Sequence, residues 1–243
     1  MAVAIKENYT LHKLHSLTGV IPVGYYLVQH LTLNTFSLAG PTKFNAVIQF
    51  FEGMPLHFLW AVKLIAIWIP LIFHAVYGIF ILSHAKYNYG EPKYRFKENG
   101  YFTFQRFSGI VAFLFLIYHM TSTSVNAAVN GAHGTIYYDT WAEKLSAPFL
   151  GFIPYFFLGV YVVGVVASAY HFSYGIWSFC IRWGIAISEK AQQSVWRLSN
   201  VMFPVIAILG ILALAGFFYP VLENKEAAPH PADQSVESVT LNR

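Results

Sequence analysis

Four histidines stand in apolar sequence: His30 in YYLVQHLTLN, His74 in PLIFHAVYGIF, His119 in LFLIYHMTST and His171 in ASAYHFSYGIW. An imidazole in hydrocarbon is costly and normally has a partner. Any one of these rings, taken alone, reads as a hydrogen-bonded core residue or a member of a proton relay. Four of them, one in each of four successive apolar runs, argue together for nitrogen ligands to a metal group. The other six histidines have plainer settings: His133 and His230 in polar segments, His57 and His84 at the ends of apolar runs, and His12 and His15 just before the first run.

The elements that must position these rings are membrane helices. The chain has 243 residues, 56% of them hydrophobic and 11% charged, against about 25% charged in a soluble domain. A membrane helix needs about 20 apolar residues, and five stretches qualify, roughly 14–39, 55–83, 102–129, 148–178 and 198–221. Pro22, Pro70, Pro154 and Pro204 fall inside them, as neighbouring helices allow. Period-two alternation is absent, which argues against a membrane barrel. The first run is too long for a secretory signal and lacks a small-residue cleavage site. The expected architecture is an all-α integral membrane protein with five transmembrane helices and little else. Residues 1–222 form the membrane domain, and 223–243 a flexible polar tail.

Basic residues orient the bundle. Lys6, Lys13, Lys86, Lys93, Arg95, Lys97, Arg106, Arg182, Lys190 and Arg197 fall on one side. The other side has Lys43, Lys144, Lys225 and Arg243, with Lys63 at the edge of the second span. The N-terminus is therefore expected in the cytoplasm and the C-terminus outside. The net charge of +4 reflects this topology and not nucleic-acid binding, which would need a clustered basic face. Cys180 is the only cysteine, too few for an internal disulfide or an iron–sulfur cluster.

Depth now pairs the histidines. His30 and His119 lie a short way before the outer ends of helices running outward, and His74 and His171 lie far along helices running inward. At about 1.5 Å per residue this gives two levels, roughly 15–20 Å apart. His30 belongs with His119 near the outside, and His74 with His171 near the inside. A weak internal echo agrees: HAVYG at 74–78 resembles HFSYG at 171–175, and LTGVI at 17–21 resembles FSGIV at 107–111. Two related helix pairs about a pseudo-two-fold axis, followed by a fifth helix, would give this order.

Two histidines per level suit an iron with both axial positions filled, and helix bundles carry such cofactors in their cores. Zinc would want four ligands at one level. The lack of a Cys-x-x-Cys-His motif makes attachment non-covalent, so the expectation is two b-type haems. Gly78 and Gly175 lie four residues after His74 and His171, on the same helix face. They either admit a flat macrocycle or serve helix–helix packing. Arg182, Gln105, Arg106, His15 and Ser16 lie at the cytoplasmic surface near the inner level, where the acidic propionates of a haem would need partners; headgroup contact is the alternative.

HKLHSLTGVIPVGYYLVQHL, IPLIFHAVYG, QRFSGIVAFLFLIYH and YHFSYGIWSFCIRWGI together resemble the di-haem cytochrome b anchor subunit of bacterial succinate dehydrogenase and quinol:fumarate reductase. The likeness covers about residues 9–190, with a weaker fifth helix. It implies a five-helix subunit of the bacterial cytoplasmic membrane that anchors a flavoprotein and an iron–sulfur protein. Axial ligands would be His30 and His119 for the outer haem, and His74 and His171 for the inner one. Arg182 would pair with an inner-haem propionate. Electrons would pass between succinate or fumarate chemistry in the partners and a membrane quinone, menaquinone being usual; this chain carries no dicarboxylate site. Lys63 departs from relatives with a carboxylate in that stretch, and a lysine snorkelling to the interface accounts for it equally. The alternatives are a di-haem cytochrome serving a hydrogenase or nitrate reductase, and a transporter with a histidine proton relay.

Overall fold

The computed structural model describes residues 8–84, 97–131 and 135–218; the expected tail at 223–243 and most of the loop after His84 lie outside them. The described residues are mostly helical, with one isolated bridge between Phe149 and Ile153. The first long run joins α1 (Tyr9–Thr18), a π-helical turn (Gly19–Val23) and α2 (Gly24–Asn34), and closes in a 3₁₀ turn. A short helix, α3 (Gly40–Glu52), follows. The second run joins α4 (Leu56–Val62), a π-helical turn (Lys63–Trp68) and α5 (Ile69–His84); the third joins α6 (Lys97–Met120), another π-helical turn (Thr121–Val125) and α7 (Asn126–Asn130). Then come α8 (Tyr138–Ser146), α9 (Phe156–Arg182) and α10 (Glu189–Ala215).

The prolines account for two of the widened turns. A proline inside a helix lacks an N–H and crowds the carbonyl four residues back. Pro22 lies within the first π-helical turn, and Pro70 lies two residues past the end of the second. Widening absorbs the clash while the helix continues.

Four runs are long and apolar enough to cross a membrane: Leu56–His84, Asn99–Asn130, Phe156–Arg182 and Glu189–Ala215. The run from Tyr9 is not among them, because His12, Lys13, His15, Ser16, Gln29 and Asn34 dilute its apolar character. Two boundaries also differ from the sequence expectation, and two further helices lie outside it. Residues 148–155 are not helical; Leu150, Gly151 and Tyr155 take positive φ of 53°, 78° and 56°, which ends regular structure before α9. α10 starts at Glu189, well before residue 198, because the Ser188 hydroxyl caps it by accepting from the Ala191 N–H at 3.2 Å. Finally, α3 and α8 are real helices, so the expectation of membrane helices and little else is corrected. Pro41 in the first turn of α3 presets its backbone.

α9 packs between α6 and α10, and α10 also meets α2. The core over this part of the bundle joins Phe44, Tyr138, Trp141, Leu145, Tyr161 and Phe217. α3 and α8 are tied down by polar contacts: Tyr137 donates to Glu52 at 2.8 Å, the Tyr138 N–H to Asn45 at 2.9 Å, and the Tyr138 hydroxyl to the Gly216 carbonyl at 2.6 Å. The second run keeps an apolar outer surface, with Ile65 68% and Val76 63% exposed, as suits a helix surrounded by lipid.

Candidate functional site

The four span histidines meet in two pairs. His74 and His171 have ring centroids 6.0 Å apart with planes at 80°. His30 and His119 are 5.7 Å apart at 72°. Two imidazoles on opposite sides of one metal, each bond about 2 Å long, have centroids roughly 6 Å apart. Among the described residues no cluster of three or more His, Cys, Asp or Glu could hold a metal. The donor set is thus two nitrogens per site, which fits a haem iron whose other four ligands come from the macrocycle.

At the His74–His171 pair, ring orientation is set by main chain. His74 Nδ1 lies 2.8 Å from the His15 carbonyl oxygen. His171 Nδ1 lies 2.9 Å from the Gln105 carbonyl oxygen. A carbonyl can only accept, so each Nδ1 carries the proton and each Nε2 presents a lone pair. This is the tautomer a metal-binding histidine needs, held by a neighbour beyond the ligand itself. The helices are brought close by glycine. A Cβ on Gly19 would sit 2.6 Å from His74 Nδ1, and one on Gly109 would sit 2.7 Å from His171 Cε1. Each glycine lies one helical turn after the residue whose carbonyl takes the bond: Gly19 after His15, and Gly109 after Gln105. These two glycines were visible in the sequence echo of LTGVI and FSGIV, yet only their neighbours were read as site residues.

The remaining expected residues at this level gather as follows. The His15 ring stacks on His74, 4.0 Å between centroids and 10° between planes. The Gln105 amide nitrogen is 3.5 Å from His171 Nδ1. Gly78 faces His15, where a Cβ would be 3.2 Å from the ring, and Gly175 faces Gln105, where a Cβ would be 3.8 Å from the amide nitrogen. Arg182 Nη1 is 3.1 Å from His12 Nδ1, and Ser16 Oγ accepts from Trp183 Nε1 at 3.1 Å. His12 therefore belongs to this polar group and is no plain surface residue, because α1 packs against both α5 and α9. Tyr77, one turn after His74, was missed. Its ring lies 5.9 Å from His15 and 5.5 Å from His12. The Tyr77 hydroxyl and His15 Nδ1 are buried with no hydrogen-bond partner among the described residues. Buried polar atoms normally have one, so a polar ligand group fits here.

The His30–His119 pair is held by side chains. His119 Nδ1 lies 3.3 Å from the Tyr161 hydroxyl. The Asn34 amide donates to the His30 carbonyl at 2.7 Å and touches His30 Nε2 at 3.4 Å. Aromatic rings enclose the pair: Tyr26 stacks on His30 at 5.4 Å, Phe115 on His119 at 5.6 Å, and Trp141 lies 6.5 Å from His119. His57 and His84 are exposed, as expected. Lys63 is exposed at the start of a π-helical turn, apart from both pairs.

No protein-family model matches the chain. Among curated proteins it is similar to the succinate dehydrogenase cytochrome b558 subunit of Bacillus subtilis strain 168, with 37% identity over 211 residues. The match covers 87% of this chain and 98% of that relative.

Proposed function

The chain belongs to the succinate dehydrogenase cytochrome b subunit family, and from that premise we propose that it is a di-haem membrane anchor. In this reading it links a cytoplasmic flavoprotein and iron–sulfur protein to a membrane quinone, menaquinone by resemblance. As a member of that family it is the membrane subunit of an enzyme complex, with its chemistry in electron transport.

The observation that carries the proposal is the meeting of the four span histidines in two pairs, with Nδ1 of His74 and His171 committed to main-chain carbonyls and Nε2 left for metal. His30 and His119 would be the axial ligands of the outer haem, and His74 and His171 those of the inner one. Bound there with both axial positions filled, the haems would supply reversible one-electron storage and no open position for oxygen. The protein's part is to place, orient and insulate. The His15 and Gln105 carbonyls lock the inner imidazoles. Tyr161 orients His119. The unpartnered His15 Nδ1 and Tyr77 hydroxyl, together with Arg182 beside them, suit the carboxylates of an inner haem; Ser16 and Gln105 complete that polar end.

Matched contacts support the two-fold repeat: carbonyl to Nδ1, glycine against ring, and glycine one turn after each inner histidine recur in both halves. A five-span topology is favoured by the continuous helix from Tyr9 to Asn34 and its packing against α5, α9 and α10. The basic bias then supports an orientation with the His74–His171 level toward the cytoplasm. The test is a protohaem determination with reduced-minus-oxidised spectra on the purified complex. Two non-covalent haems per chain are expected. One haem, covalent haem, or no b-type band would overturn the reading.

A further inference from the structure

Lys144 lies in the last turn of α8. Its ammonium donates to the Ser122 carbonyl at 2.9 Å and lies 4.8 Å from the centre of the Trp141 ring. Trp141 in turn lies 6.5 Å from His119. The side chain is half-buried, and burial holds its ammonium below the usual lysine range. No carboxylate forms an ion pair with it among the described residues. A half-buried cation is normally matched by an anion, and this one has only a carbonyl and a ring face. Its position in the last turn of α8 gains from the helix dipole, but lysine on a helix end in water would gain the same without being drawn inward to the histidine pair.

We propose that Lys144 is the counter-ion of the outer metal site, pairing with a propionate carboxylate of the haem held by His30 and His119. This rests on the assignment of that pair as haem ligands. The inner level has its own cation, Arg182, with His12 and His15 beside it; at the outer level Lys144 is the cation beside the ligands. Lys144 acts as a positioning residue. It anchors the edge of the macrocycle, and its positive charge disfavours the more positive, oxidised state of the iron.

The competing role is a simple cap on the Ser122 carbonyl, which lies in the π-helical turn Thr121–Val125. Glutamine separates the two, because Lys144→Gln keeps an N–H donor and removes the charge. Lys144→Arg keeps the charge. The experiment is haem quantitation and spectroelectrochemical titration of the purified complex, resolving the two haems. In Lys144→Gln the outer midpoint should shift downward, or the outer haem should be lost, while the inner haem is unchanged and Lys144→Arg resembles the parent. Two haems bound in Lys144→Gln with both midpoints unmoved would leave Lys144 as a carbonyl cap and overturn the proposal. Loss of the outer haem in both variants would also overturn it, since packing and not charge would be responsible. A parent complex with a single haem would instead remove the ligand assignment on which the proposal rests.

Discussion

The two histidine levels are built from different materials. At His74 and His171 the second ring nitrogen is bound by a main-chain carbonyl, and the ring lies against a glycine that admits no Cβ. At His119 the corresponding bond goes to a tyrosine hydroxyl, and around His30 the contacts come from Tyr26 and Asn34. A carbonyl on a helix cannot be mutated away, so the first level is set by how closely the helices approach. The second level is set by side chains, and each of those can be exchanged. The first should therefore be all-or-none under substitution, and the second adjustable in steps.

The largest effects should come from the four histidines proposed as axial ligands. His171→Ala removes one of the two facing imidazoles at its level. The inner haem should be lost, and assembly with the cytoplasmic subunits should fall with it. His30→Ala should remove or convert to high-spin only the outer haem. Dye-linked succinate oxidation should then survive while quinone-linked oxidation collapses. If His30→Ala leaves both haem spectra intact, the pairing is wrong.

Glycine substitutions probe the same contrast a step lower. Gly109→Ala would drive a methyl to within 2.7 Å of His171, and Gly19→Ala would press one closer still onto His74 Cε1. Overpacking of this kind costs about 1–3 kcal/mol, and here the strain falls on a ligand. Each should cut inner-haem content sharply and spare the outer haem. Gly175→Ala meets nothing in the protein closer than 3.8 Å, so protein packing alone predicts little change. A shifted inner-haem spectrum in Gly175→Ala would show instead that a macrocycle lies against that glycine. Pyridine haemochrome content and low-spin electron paramagnetic resonance signals read both.

The four paired histidines were more legible in the sequence than the groups that support them. His30, His74, His119 and His171 stood out because a titratable ring in an apolar run is rare, and counting residues along the helices was enough to pair them by depth. The His15 and Gln105 carbonyls left no trace in the letters, since every residue type has a carbonyl. Gly19 and Gly109 left a trace, the LTGVI and FSGIV echo, but a glycine in a membrane helix has several uses until its neighbour is known. Pro41 announced α3 and went unread because the apolar runs on either side dominated the hydropathy. Tyr161 and Trp141 looked like ordinary aromatic residues. Their contact with His119 depends on α8 folding back over the bundle, a long-range event with no local signature.

Tyr161→Phe is the stepwise change that the side-chain level permits. It removes the hydroxyl 3.3 Å from His119 Nδ1 and keeps the ring that packs against Phe115 and Trp141. The lost bond is weak and neutral, worth about 0.5–1.5 kcal/mol. Both haems should remain bound, with a small shift of the outer midpoint and none of the inner. A change confined to the inner haem would break the assignment of Tyr161 to the outer pair.

The smallest expected effect lies farther from the metal, in the clamp that holds α8 to α3. Tyr137 donates to Glu52 at 2.8 Å. Burial, and then the Glu52 carboxylate, push the Tyr137 phenol above its usual range. A group with a raised folded-state pKa stabilises the fold fully below its ordinary value, and that stability is lost as pH rises through the raised value. Tyr137→Phe should thus cost about 1.5 kcal/mol at neutral pH, the lower end for a bond to a charged group because Glu52 is exposed. The difference from the parent should shrink above pH ~10, where the unfolded tyrosine ionises. Melting curves of the purified complex at neutral and alkaline pH measure this. Release of the outer haem before the inner one on heating the variant would show that the clamp serves the side-chain level. A penalty that stays constant into the alkaline range would mean that Tyr137 acts through ring packing and not through its bond to Glu52.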